Sequence, residues 1–149
     1  TMLCIEFKGS GRKAEISLTP DAESVKTVAE FLDTTLGAWE IPMKVVSKLQ
    51  IVADEIYSNI VRYSQANNAK VTAVQNGTVL SLRFEDDGKP YDPTTAAEPD
   101  ITASAEQREI GGVGIFMARK MMGNMDYMYK DGYNVLTLTL TLAKEETKP

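Results

Sequence analysis

The sequence contains no histidine. That absence removes the Ser-His-Asp and Cys-His nucleophile systems and the usual zinc sites, because each needs an imidazole as base or ligand. A general base in this chain has to be a carboxylate, a lysine or a tyrosine. Cysteine is nearly absent too. Cys4 stands alone, which excludes an internal disulfide and points to a reducing compartment, the cytoplasm. Long apolar runs are missing, so no segment is expected to span a bilayer, and the first eight residues lack the pattern of a secretion signal. There is no basic block in a chain of net charge −5, so direct contact with a nucleic-acid backbone is not expected. The acidic balance suits a basic protein partner or a phosphate ligand neutralised by a metal.

What is present is material for one core. A chain of 149 residues, 43% of them hydrophobic, fits a single domain, read as residues 1–143 with a disordered tail over 144–149. Residues 3–8 and 14–19 read as strands joined by a turn at Gly9 and Gly11. Thr19 is placed to cap a helix that has Pro20 in its first turn and ends near Leu36, stopped by Gly37. A longer helix is expected over residues 42–64, where Val45, Leu49, Val52, Ile56, Ile60 and Tyr63 recur at helical spacing. Strands over 70–74 and 79–86 come next, turning at Asn76-Gly77, and the last pair spans 126–129 and 133–142, turning at Asp131-Gly132. In the last strand Leu136, Leu138, Leu140 and Leu142 alternate with threonines, so one face is buried. The fold class expected is α+β: a two-layer α/β sandwich with a mostly antiparallel sheet and its helices on one face.

Three clusters carry possible chemistry. Glu55 and Asn59 are four residues apart on the long helix and share a face, with Lys48 and Arg62 near the same stripe. They could serve as a general base and a hard-metal ligand, and the plain alternative is an exposed polar stripe. Counted in twos, Leu80, Leu82, Phe84 and Asp86 point the same way, so Asp86 continues a buried face, where a carboxylate is costly unless something donates to it. After it, Gly88 would let another group approach closely. The plain alternative is a solvated Asp-Gly turn. Finally, Gly111, Gly112 and Gly114 open a short helix ending near Gly123, where bare backbone amides would attract phosphate. The run matches neither a Walker A loop nor the dinucleotide fingerprint. Between the last two clusters, residues 87–110 form a long, weakly periodic segment of the kind that serves as a lid or is disordered.

Taken together, helical E-x-x-x-N, then D-x-G at a strand end, then a long loop, then G-x-G opening a helix, resembles the GHKL (histidine-kinase-like) ATPase superfamily and, within it, the anti-sigma-factor serine kinases. The stretches that carry the resemblance are Ala53-Asp54-Glu55-Ile56-Tyr57-Ser58-Asn59-Ile60, Phe84-Glu85-Asp86-Asp87-Gly88-Lys89-Pro90-Tyr91-Asp92-Pro93 and Ile110-Gly111-Gly112-Val113-Gly114-Ile115. The resemblance implies ATP and Mg2+ as cofactors. It implies that Asp86 receives the adenine amino group with Gly88 beside it, that Asn59 holds the magnesium and that Glu55 acts as base or orients the acceptor. Gly112 and Gly114 would contact the phosphates under a lid formed by 87–110. Related kinases often carry a basic residue directly before the glycines, where this chain has Ile110, so Arg108 is the cation assigned to the terminal phosphate. The implied partners are a sigma factor and a STAS-domain anti-anti-sigma protein whose serine is phosphorylated, and the implied assembly is a homodimer. The functional expectation is an ATP-dependent protein serine kinase that also sequesters a sigma factor. The alternatives are a nucleotide-gated binding switch without significant kinase activity, and an interaction module that binds no nucleotide.

Overall fold

The computed structural model describes residues 2–8, 11–92 and 123–142. Among these residues six strands form one antiparallel sheet in the order β1-β2-β3-β4-β6-β5: β1 Met2–Lys8, β2 Gly11–Leu18, β3 Ala69–Asn76, β4 Val79–Asp86, β5 Asn124–Lys130 and β6 Tyr133–Thr141. Two helices, α1 (Ala22–Ala38) and α2 (Met43–Asn59), are inserted between β2 and β3. Their apolar faces meet one face of the sheet in a single core. Ile16, Val71, Leu82, Phe84 and Leu138 line the sheet side, and Leu32, Leu36, Leu49 and Val52 the helix side. The two-layer α+β expectation therefore holds. The other sheet face carries ion pairs, Lys70 to Glu85 (3.7 Å) and to Glu15 (4.0 Å) across neighbouring strands, and Arg83 to Glu85 (3.0 Å) within β4. Among the described residues no helix is long and apolar enough to cross a membrane.

Tight turns fix the register of the hairpins. Gly77 (φ 59°) comes directly after Asn76, and Asp131 and Gly132 both take positive φ (54° and 85°) between β5 and β6. Positive φ at both central residues matches the right-handed twist of the strands and is what an Asp-Gly pair supplies.

The ends of α1 differ from expectation. Its cap is Asp21, not Thr19. Asp21 Oδ1 accepts from the Ser24 N–H (2.8 Å) while Ser24 Oγ accepts from the Asp21 N–H (3.0 Å), a reciprocal box that only a partner three residues on can close. At the other end Gly37 is helical. The left-handed residue is Glu40 (φ 57°), and Ile41 N–H donates to Leu36 O (3.0 Å) as Glu40 N–H donates to Gly37 O (3.0 Å). This pair of bonds, with Ile41 and Leu36 both buried, outweighs the cost of a non-glycine residue in that conformation.

The long helix also departs from expectation. It stays α only to Asn59 and continues as a π turn over Ile60–Ser64, ended by Gln65 in the left-handed region (φ 58°). The wider turn takes in one extra residue and rotates the residues beyond it about the helix axis. The apolar stripe holds through Ile56, and Ile60 is half-buried. Tyr63, expected as its last member, is instead 54% exposed.

Candidate functional site

Two of the three clusters lie within the described residues, and the π turn links them. On α2, Asn59 Nδ2 donates to Glu55 Oε2 at 2.8 Å. A carboxylate only accepts, so the amide nitrogen must face it and the amide oxygen must face away. That oxygen, Asn59 Oδ1, is buried and has no hydrogen-bond partner. An orphaned buried acceptor is uncommon in a folded protein and marks a position where a donor or a cation fits. The helix is held in place behind this pair. Tyr57 is fully buried, and its hydroxyl meets Ser24 Oγ at 2.7 Å, tying the last turns of α2 to the cap of α1.

The second cluster stands at the end of β4. Asp86 is 4% exposed on the same side as Leu80, Leu82 and Phe84, the direction that counting in twos gives. Its Oδ1 accepts from the Gly88 N–H (3.0 Å) and from Asn134 Nδ2 (3.1 Å). Burial pushes its carboxyl above the ordinary value. The Gly88 amide, then Asn134, oppose that, Asp87 adds to it, and the Ser64 hydroxyl again opposes it. Asn134, 6% exposed on β6, also donates to Lys89 O (2.8 Å) and accepts from the Tyr91 N–H (3.0 Å) and the Tyr127 hydroxyl. Neither Asn134 nor Tyr127 is among the residues that the sequence motifs single out. A signal exists for Asn134: counted in twos it falls on the inward side with Leu136 and Leu138, the same anomaly that marks Asp86.

Ser64 joins the two clusters. Its carbonyl accepts from the Lys89 N–H (2.8 Å), and its hydroxyl donates to Ile60 O (2.7 Å). Gly88 lies directly against it. A Cβ at position 88 would stand 2.7 Å from Ser64 Cβ, 2.8 Å from its carbonyl carbon and closer still to its carbonyl oxygen. The close approach that glycine permits here is thus made by the chain's own backbone. Lys48 is exposed, and the Arg62 guanidinium lies 5.7 Å over the Tyr63 ring. Among the described residues neither forms an ion pair with Glu55. Arg108, Ile110, the glycines at 111, 112 and 114, and the 93–110 part of the long segment lie outside the described residues.

Magnesium fits the donor set that is present. A hard cation takes oxygen ligands, and one smaller than calcium is commonly held by few protein groups, with phosphate and water oxygens completing its shell. Asn59 Oδ1 is an oxygen donor of that kind, with the Glu55 carboxylate adjacent. Among the described residues no group of three or more His, Cys, Asp or Glu side chains is placed to hold a metal ion.

Residues 18–140 match the family described as histidine kinase-like ATPase domain. The chain is 36% identical over 101 residues to the serine/threonine-protein kinase BtrW of Bordetella bronchiseptica, a match that covers 65% of this chain and 71% of that protein. Among solved structures it superposes on the RsbU and RsbW domains of Rv1364c from Mycobacterium tuberculosis with a TM-score of 0.61 at 17% identity. That match covers 91% of this chain, which spans 34% of the other. It also superposes on the Acinetobacter baumannii histidine kinase AdeS with a TM-score of 0.53 at 14% identity, covering 87% of this chain and 68% of that one. At these identities the two structures establish the shared fold.

Proposed function

Because this chain belongs to the histidine kinase-like ATPase family, we propose that it binds Mg-ATP between α2 and the end of β4 and transfers the terminal phosphoryl group to a protein serine. The observation that carries the reading is the pairing of two anomalies at one end of the fold. One is a buried carboxylate, Asp86, and the other is the orphaned Asn59 Oδ1 on the helix fastened to it through Ser64. A buried acceptor with its carboxylate fixed in place suits the amino group of adenine. Asn59 would hold the magnesium, which when bound offsets charge on the phosphates. Glu55 is the carboxylate hydrogen-bonded to Asn59, and it is assigned to receive or orient the proton of the serine hydroxyl. Arg108, Gly112 and Gly114 are assigned to the phosphates, and Gly88 to the wall of the base pocket that it shares with Ser64. The likeness to BtrW, a serine/threonine kinase, supports transfer to a hydroxyl. The resemblance of the motifs to the anti-sigma-factor serine kinases extends the proposal to a STAS-domain anti-anti-sigma protein as substrate, a sigma factor as sequestered partner and a homodimer as the working form, and the lone cysteine extends it to the cytoplasm.

Calorimetric titration with ATP, with and without magnesium, tests this first. Binding should strengthen with magnesium, weaken about tenfold or more in a folded Asp86→Asn variant and lose its magnesium dependence in Asn59→Ala. Phosphoryl transfer to a STAS-domain serine, abolished by Glu55→Ala, completes the reading. Binding without any transfer would make the chain a nucleotide-gated switch, and no binding by a folded protein would end the proposal.

A further inference from the structure

Every polar atom of the Asn134 amide is engaged. Nδ2 donates to Asp86 Oδ1 (3.1 Å), to Lys89 O (2.8 Å) and, at greater length, to Gly88 O (3.4 Å). Oδ1 accepts from the Tyr91 N–H (3.0 Å) and from the Tyr127 hydroxyl. Exchanging the two amide ends would set the NH2 group against donors and the carbonyl against three acceptors, so the partners define the orientation. The Tyr127 hydroxyl is one of the two donors to Oδ1, and the one of that pair carried on a side chain.

The orientation matters for what Asp86 can offer. Its Oδ1 carries two donors, the Asn134 amide and the Gly88 N–H, so that oxygen is committed as an acceptor. A carboxylate held this way presents its other oxygen, also as an acceptor, in one direction. Asp86 released from these donors could rotate, or take up a proton and donate instead. A donating carboxylic acid suits a 6-keto purine, whereas an accepting carboxylate suits a 6-amino purine. The titratable groups facing Asp86 are Asp87 beside it after β4 and the Tyr127 hydroxyl on β5, and the π turn contributes the Ser64 hydroxyl.

We propose that Asn134, oriented by Tyr127, is a positioning residue that holds Asp86 as a fixed acceptor and thereby sets the preference of the base pocket for 6-amino over 6-keto purines. This rests on the reading of Asp86 as the base-binding group. Asn134 need not touch the nucleotide to do so.

The test is titration of the full chain with Mg-ATP and with Mg-inosine triphosphate, which differs from ATP by a keto group in place of the amino group. Three variants are compared. Asn134→Asp keeps the shape and the acceptors for Tyr91 and Tyr127 but removes the donors. Asn134→Ala removes both, and Tyr127→Phe leaves Asn134 in place and removes one orienting group. The wild type should prefer ATP by about tenfold or more, the worth of a hydrogen bond to a charged group. In Asn134→Asp and Asn134→Ala that ratio should fall at least about threefold, and in Tyr127→Phe by less. A purely structural role would weaken both nucleotides alike and leave the ratio unmoved. An unchanged ratio in folded variants overturns this inference and leaves Asp86 as the base-binding group. Failure of the wild type to bind either nucleotide overturns the reading of the site itself. Should the Asn134 variants not fold, Tyr127→Phe decides: an unchanged ratio there is the negative result.

Discussion

Asp87 Oδ1 accepts from the main-chain N–H groups of Asn67 (2.7 Å) and Asn68 (2.9 Å), and its Oδ2 accepts from Asn68 Nδ2 (2.9 Å). These donors, the Asn68 side chain foremost, hold its carboxyl below the ordinary value, whereas burial pushes that of Asp86 upward. The signs differ accordingly. Asp87 contributes stability that is present above its unfolded value of 3.8 and is lost as pH falls through its folded value. Asp86 behaves oppositely, favouring the fold below 3.8 and losing that contribution as pH rises through its raised value. Replacing Asp87 by alanine should therefore cost about 1 kcal/mol at neutral pH and flatten the acid limb of the stability profile, read by urea unfolding from pH 7 down to pH 3. An acid limb as steep as that of the wild type would refute the assignment. The inward direction of Asp86 is legible in the sequence because strand periodicity is local. The partners of Asn134 are not: Asp86, Gly88, Lys89 and Tyr91 lie 43 to 48 residues away in sequence, and Tyr127, seven residues away, meets it only through the pairing of β5 with β6.

At the scale of elements, local chemistry and tertiary contact divide what can be read. The hairpin turns and the Glu55–Asn59 face depend on neighbours in sequence, and the structure keeps them. The cap of α1 lies two residues beyond its expected place because Thr19, Pro20 and Asp21 all suit a helix start. The choice among them falls to Ser24, which both closes the box and meets Tyr57 on the other helix. The π turn leaves no mark on the pattern, since Ile60 and Tyr63 continue the helical spacing that the wider turn then breaks. Its place is explained by what it touches: Ser64 must reach Gly88 and Lys89. Gly88→Ala would force a Cβ into backbone that has no side-chain freedom with which to yield. It should cost about 1–3 kcal/mol in thermal unfolding and weaken nucleotide binding as well. A variant as stable as the wild type would show that the junction is loose.

The sheet as a whole is three hairpins side by side, β1–β2, β3–β4 and β5–β6. Among the described residues interior strands are paired on both sides and the edges on one, so amide exchange should be slowest in β2, β3, β4 and β6 and faster in β1 and β5. Equal protection of β5 would mean that its outer edge is covered in solution, as a paired second copy would do. Each hairpin closes on its own short connection: Lys8 pairs with Gly11, Asn76 with Val79 and Lys130 with Tyr133. The two long connections run between hairpins. One returns at Ala69 and the other departs at Asp86, and these two residues are direct partners across the ladder. Strand register, set within the hairpins, is thus insulated from whatever those connections contain. Over evolutionary time the hairpins can be inherited almost as a fixed chassis. Insertions, deletions and new contact surfaces can accumulate in the connections, which meet the sheet where the site lies.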